Sequence, residues 1–183
     1  DIFALNSGQS LYFVSKSEVA SWPGIGLLAK ATGTLFIRRE PKEAIAQKKL
    51  FGQRIKMGHR LLLFPEGTST DGMRVLPFKS ALFQVFFDSE LISPCYIQPV
   101  TVTYLAPKKE DPRFYGWWGD MSFAAHLLKT IASRKQGSIE VRYHEPLLVS
   151  NFAKRKELAA AAEKIVRSAH IFAVSSPKNQ ASN

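Results

Sequence analysis

Apolar and polar positions fall into short blocks along the first hundred residues. Leu11 to Val14 is an apolar run that reads as a strand, and Ser17 then opens a helical pattern through Val19, Trp22, Ile25, Leu28 and Ala29, with Pro23 early in it. Thr34 to Ile37 is a second such run, ending at Arg38 and Arg39. Pro41 begins a helix through Ile45, Lys49 and Ile55, and Gly58 is suited to stop it. Leu61 to Phe64 is a third run, broken abruptly by Pro65, Glu66 and Gly67. A short apolar run between turn residues reads as a strand covered on both faces. Strands separated by helices of this length imply right-handed βαβ crossovers. The expected fold class is therefore α/β: a single domain over residues 1–174 with a mixed, mainly parallel central sheet flanked by helices, then a frayed polar tail over residues 175–183.

The second half is less regular. Lys79 to Phe87 predicts a short apolar helix, and Tyr96 to Tyr104 predicts a strand interrupted by Pro99, either an edge strand or one bent at the proline. Residues 105–120 form a loop rich in proline, glycine and aromatics. Asp120 is placed to cap a helix from about Met121 to Arg134, Ile139 to Tyr143 reads as a strand, and Ser150 or Asn151 caps a basic terminal helix reaching about His170.

Composition narrows the partners rather than the fold. In 183 residues, 25 Lys and Arg stand against 15 Asp and Glu, a net charge of +10 that favours anionic lipid, nucleic acid or an acidic carrier protein. The lone cysteine, Cys95, excludes an internal disulfide and reads as a small buried hydrophobe, and no Cys/His spacing suits a metal. No apolar run approaches the roughly 18 residues of a transmembrane helix, so this stretch of chain meets a membrane, if at all, from the side. Asp1 to Leu5 reads as the middle of an element, which leads us to expect a fragment of a longer protein.

The chemistry concentrates where the third strand ends. In open α/β sheets ligands sit outside the carboxyl ends of the strands. Taken alone, the turn fits equally a plain strand exit with a solvated Glu66.

Four stretches in order decide between these readings by resemblance. FPEGT at Phe64 to Thr68, GTLFIRR at Gly33 to Arg39, IQPVTV at Ile97 to Val102, and LYFVSKSEV with WPGIG between Leu11 and Gly26 together resemble the glycerolipid acyltransferase family. The resemblance covers residues 1 to 104 well and the remainder loosely. The family's first block is HxxxxD, yet none of His59, His126, His144 and His170 has an aspartate five positions on. Asp1 stands where that aspartate is expected, so its histidine is expected upstream of the residues given.

The resemblance implies transfer of an acyl group from a thioester, carried by acyl carrier protein or coenzyme A, to the hydroxyl of a lysolipid. A hydroxyl needs a base to become a nucleophile at neutral pH. The missing histidine would be that base and Asp1 its orienting carboxylate. Arg39 would hold an acidic head group through its planar fork. Glu66 would orient the Gly67 loop, an arginine or the acceptor hydroxyl, while Gly67 and Thr68 bring backbone N–H groups to the ligand. Phe64, Pro65, Lys79 and Pro99 complete the expected substrate contacts, with Lys79 equally readable as an exposed helix-start lysine. No cofactor and no metal is implied.

Many phosphate-acceptor members carry arginine directly after FPEGT; here it is Ser69. That departure, with FPEGTSTDG, PFKSALF and FYGWWGDMSFAAHLL, looks closer to the branch that acylates lyso-ornithine lipid, with a lysophosphatidic acid acyltransferase as the alternative.

Trp117 and Trp118 lie near Lys108, Lys109 and Arg113, a combination suited to an anionic membrane interface or to covering the sheet. Phe123, Leu127 and Ile131 read as core. Lys154, Arg155, Lys156, Lys164 and Arg167 give the last helix a basic face. A basic module that binds lipid or nucleic acid without catalysis is the rival class, but no nucleic-acid motif is present, the ordered blocks around FPEGT would go unexplained, and nucleic acid is not expected as a partner. By resemblance the protein works at the cytoplasmic face of a bacterial inner membrane, peripherally or through an upstream anchor.

Overall fold

The computed structural model describes residue 5 and residues 11–21, 25–31, 33–37, 44–87 and 94–175, and within them the three apolar runs pair as parallel strands. β1 (Tyr12–Lys16) lies at the centre, between β2 (Leu35–Ile37) and β3 (Leu61–Leu62). Val14 faces Leu35 across one ladder and Tyr12 faces Leu61 across the other. Two helices fill the crossovers, α1 (Ile25–Ala31) and α2 (Ala44–Lys56). Gly58 ends α2 as expected: at φ +76° it lets its own N–H reach Ile55 O and the His59 N–H reach Arg54 O, which satisfies the last carbonyls.

Several boundaries differ from the sequence expectation. The helix anticipated from Ser17 begins instead as a 3-10 turn over Ser17–Ser21, before α1 starts at Ile25; Trp22 and Pro23 lie outside the described residues. β3 pairs over only two residues, both half-buried, and Phe64 is 38% exposed. Among the described residues β3 pairs with β1 alone, and its side chains are half-buried rather than enclosed. Leu61 and Leu63 still pack on the Val14, Leu35 and Phe51 cluster.

Beyond the parallel sheet, the short apolar helix expected from Lys79 to Phe87 is present as a 3-10 helix, Ser80–Phe87. Three residues per turn put i and i+3 on one line, so Phe83 and Phe86 share a stripe while Val85 falls on another. Phe83 enters the cluster of Val149, Leu158, Ala159 and Ala162, with Phe86 against it. Val85 packs instead on the sheet cluster, so this element joins the two cores.

β4 (Tyr96–Ile97) and β5 (Val100–Leu105) are separated at Pro99, as the proline predicted. β5 pairs antiparallel with β6 (Ser138–Tyr143), and β4 with β7 (Leu147–Leu148). Between β5 and β6 runs α3 (Phe123–Ala132), whose N-cap residue is Ser122 rather than Asp120 and makes no side-chain cap. The last helix, α4 (Arg155–Ser175), starts three or four residues later than anticipated, after a 3-10 turn at Val149–Asn151, and runs on past His170. Glu157 accepts the Ala153 N–H at its start. The tail expected over 175–183 lies, after Ser175, outside the described residues. Among the described residues no helix is long and apolar enough to cross a membrane.

Candidate active site

The turn after β3 is built by its own backbone. Pro65, with φ fixed by its ring, takes the second position and the Gly67 N–H closes on Phe64 O at 3.1 Å. Gly67 has φ +68°, a region that costs a side chain about 1–2 kcal/mol. The Lys79 side chain lies directly against it: a Cβ on Gly67 would stand 2.8 Å from Lys79 Nζ and 3.0 Å from Cδ.

The chain then makes a closed excursion. Lys79 N–H returns to Pro65 O at 2.9 Å, and Leu76 N–H donates to Glu66 Oε2 at 2.7 Å. Residues 65–79 are thus an Ω-type loop with its two ends tied together. Thr70 Oγ1 accepts from the Gly72 N–H and Asp71 Oδ1 from the Met73 N–H, which turn the tip.

Two neighbours brace this loop. From α4, Glu163 Oε2 accepts the Phe78 N–H at 2.9 Å and holds Arg167 at 2.7 Å through its other oxygen. His170, 5% exposed, reaches Gly72 O at 3.0 Å, so its Nε2 carries the proton. From the other side, Trp117 N–H donates to Thr70 O at 3.2 Å, and Gly116 packs so closely on Asp71 that a Cβ there would lie 2.6 Å from its carbonyl oxygen.

The electrostatics follow from this packing. Burial pushes the Glu66 carboxyl above its ordinary value, opposed by the Leu76 N–H and the Arg167 charge, with Glu163 adding to the rise. Burial also acts to raise Glu163, but the Phe78 N–H and Arg167 outweigh it and hold that group below its usual range. Burial lowers His170, partly offset by the bond to Gly72. The root of the loop therefore carries a carboxylate whose charge is disfavoured, beside an ion pair whose charge is held.

A family model described as Acyltransferase matches residues 1–103, more than half of the chain, including β1 to β3 and the whole loop. The chain belongs to the acyltransferase family. It is 62% identical over 168 residues to lyso-ornithine lipid O-acyltransferase of Rhodobacter capsulatus, covering 92% of this chain and 61% of that protein. It is 34% identical over 176 residues to a protein of the same name from Brucella abortus, covering 91% and 66%. The 1-acyl-sn-glycerol-3-phosphate acyltransferase of Neisseria gonorrhoeae is 34% identical over 90 residues, 49% of this chain and 35% of that protein. The acyltransferase chain spans less than two thirds of the length of these relatives. In fold it resembles the crystal structure of the 1-acyl-sn-glycerophosphate (LPA) acyltransferase from Thermotoga maritima, with a TM-score of 0.59 at 19% identity over 91% of this chain and 58% of that one.

Within this acyltransferase fold, five of the anticipated site residues fall in or at the ends of one loop: Pro65, Glu66, Gly67, Thr68 and Lys79. Thr68 is exposed. Phe64, at the loop's entry, stacks on Phe13 with centroids 6.5 Å apart. Pro99 is buried at the β4–β5 break, where its carbonyl accepts the His144 N–H at 3.0 Å. Asp1 and Arg39 lie outside the described residues. Trp117 is a bracing residue of the loop through its backbone, while its ring meets Phe123 edge-on at 4.9 Å and its Nε1 donates to Met121 O. Trp118 lies under the Arg113 guanidinium at 5.9 Å.

The basic face of α4 is partly spoken for. Arg167 pairs with Glu163 and Arg155 donates to Gln84, leaving Lys154, Lys156 and Lys164 as the exposed cations of the five. Glu163 and His170 were not singled out from sequence. Their signal was helical: His170 continues the four-residue stripe of Leu158, Ala162 and Val166, which turns inward.

Proposed function

We propose that the chain carries the catalytic core of an O-acyltransferase that moves a fatty acyl chain from an acyl thioester to the hydroxyl of a lysolipid, with lyso-ornithine lipid as acceptor. The observation that carries this reading is the closed loop 65–79, rooted at Glu66, after the third strand of a parallel sheet in a chain of the acyltransferase family. The names of two relatives support the acceptor.

In this reading the acceptor oxygen attacks the thioester carbonyl carbon, the carbon–sulfur bond breaks, and the hydroxyl proton passes through the base to the departing sulfur. The base is the histidine expected upstream, with Asp1 orienting it. Arg39, two positions beyond β2, serves the carboxylate of the head group. Glu66 acts by fixing the loop: its engaged oxygen holds Leu76, which fixes the path of the chain past Gly67, Thr68 and Lys79. Phe64 and Pro65 contact substrate at the loop's entry, while Pro99, buried at the β4–β5 break, contributes by holding that break. The donor is acyl carrier protein or coenzyme A, and the reaction takes place at an anionic lipid surface on the cytoplasmic face of a bacterial inner membrane.

A second reading, acylation of lysophosphatidic acid, is favoured by the Neisseria relative's name and by Lys79, a cation set against Gly67. The deciding experiment uses the full-length protein: thiol release from an acyl-carrier-protein thioester and from acyl coenzyme A, with each lysolipid as acceptor. Release that depends on lyso-ornithine lipid supports the first reading; release only with lysophosphatidic acid supports the second. A folded protein that releases no thiol with either overturns both.

A further inference from the structure

α3 is amphipathic in an inverted sense. At roughly 100° per residue, Phe123, His126, Leu127 and Thr130 form the half-buried stripe that faces the protein. The opposite arc, turned to solvent, holds Ala124, Ala125, Leu128, Ile131 and Ala132. Leu128 is 68% exposed and Ile131 67%. The sequence had suggested Ile131 as core; instead it is on the outer face, because the turn of the helix that carries Phe123 and Leu127 inward carries Ile131 away from them. A surface helix ordinarily puts its charges on that arc. This one has a single charge, Lys129, at the border, and no acidic residue along its length.

What surrounds the apolar arc indicates what covers it. Arg134 and Lys135, both exposed, follow its C-terminal end. At the N-terminal end Trp117 is fastened to the helix through Met121 O and the Phe123 ring, and Met121 is itself 38% exposed; Asp120 is the acidic residue nearest this end in sequence. Exposed apolar side chains bordered by cations and tryptophan match a helix lying in a bilayer interface. A second copy of the chain fits less well: it would press together two surfaces bordered by Lys129, Arg134 and Lys135, with no acidic residue on either helix, in chains of net charge +10 each.

We infer that the outer face of α3, through Leu128 and Ile131 with Lys129, Arg134 and Lys135 at its border, seats the domain on an anionic lipid surface. This rests on the lysolipid reading only in that such an acceptor resides in a bilayer; it names the surface by which the domain would meet it.

The test is flotation of the 183-residue chain with vesicles of phosphatidylcholine alone and of equal parts phosphatidylcholine and phosphatidylglycerol, without donor or acceptor. Its outcome is therefore separable from that of the activity assay. Binding is expected to the mixed vesicles and to weaken with added salt. Leu128→Ser with Ile131→Ser lowers the partition coefficient about tenfold or more. Lys129→Gln, Arg134→Gln and Lys135→Gln together lower it about a hundredfold at low salt, at about 1 kcal/mol per cation. Both sets replace exposed residues, and an unchanged urea midpoint verifies the fold.

As an independent readout, an environment-sensitive fluorophore on Leu128→Cys, in a Cys95→Ser background, shifts to the blue with mixed vesicles, while one on Ala160→Cys does not. Unchanged binding in the Ser variant overturns the inference. So does a label at Leu128 that stays aqueous, or concentration-dependent dimerisation that the Ser variant abolishes.

Discussion

Glu66 Oε2 accepts the Leu76 N–H at 2.7 Å, across ten residues of chain, and so joins the two limbs of the loop that follows β3. Removing the acceptor leaves a part-buried donor without its partner, which costs about 1–3 kcal/mol. Glu66→Ala is therefore expected to lower the unfolding free energy measured in urea by that amount and acyl transfer by at least tenfold. Glu66→Gln keeps an acceptor oxygen and is expected to retain most of both. If Glu66→Gln is as inactive as Glu66→Ala while fully stable, the carboxylate acts on substrate directly and the loop-fixing role is wrong.

The same residue has a pH signature. Burial raises its pKa above 4.5, so between 4.5 and the raised value the folded state holds the proton that the unfolded state has released. Stability from this group is therefore gained as pH falls through that window and is absent above it. Relative to Glu66→Gln, the unfolding free energy of the native protein is expected to rise as pH is lowered toward 4.5. A difference that stays flat across the window would show that burial of Glu66 is compensated.

His170 carries the opposite sign. Burial lowers its pKa below 6.5, so stability from the neutral imidazole is fully present above 6.5 and is lost as pH falls through the folded value. His170→Gln, which retains a donor for Gly72 O, is expected to remove that part of the pH dependence. His170→Ala strands the carbonyl and is expected to cost about 1–3 kcal/mol at neutral pH. Equal stability of the two variants at neutral pH would show that the bond to Gly72 contributes nothing.

These contacts also mark what the sequence could and could not reveal. The alternation of Val14, Leu35 and Leu61 runs with helical spacings was enough for the parallel sheet, because strand and helix periods are local. Pro99 broke its strand where it stands because a missing N–H is a property of the residue itself. Phe64 read as buried because what packs over a strand's end is not local information: it stands 38% exposed, where the two-residue ladder has already stopped. Glu163 reaches Phe78 across 85 residues and His170 reaches Gly72 across 98, separations at which periodicity is silent. The outward apolar arc of α3 was hidden for a related reason, since a hydrophobic residue in a helix carries no mark of which neighbour it meets.

Gly67 offers a test confined to the turn. Its φ of +68° strains any side chain, and a methyl there would press on Lys79. Gly67→Ala is expected to cost about 1–2 kcal/mol, with Lys79 displaced. Adding Lys79→Ala removes the collision but not the backbone strain. A double variant as unstable as Gly67→Ala is the expected outcome in urea unfolding. Recovery of full stability would mean that the lysine contact, not the backbone, sets the cost.

Ser69 bears on the choice of acceptor. It is exposed, directly after Thr68, at the position where the resemblance implies an arginine in many phosphate-acceptor members. A guanidinium grips a phosphate through two charge-assisted hydrogen bonds, each stronger than a neutral one, whereas a serine hydroxyl offers one weak donor. With a carboxylate head group, which the proposed reading gives to Arg39, the need for that extra fork is smaller. Ser69→Arg in the full-length protein is therefore expected to raise kcat/KM for lysophosphatidic acid relative to lyso-ornithine lipid by about tenfold, the equivalent of one added charge-assisted bond of about 1.4 kcal/mol. The change should appear mainly in KM, because the phosphate takes no part in the bonds made and broken and is bound alike before and during transfer. A rise confined to kcat would place residue 69 beside the reacting atoms instead, and no change in the ratio would separate acceptor choice from this position altogether.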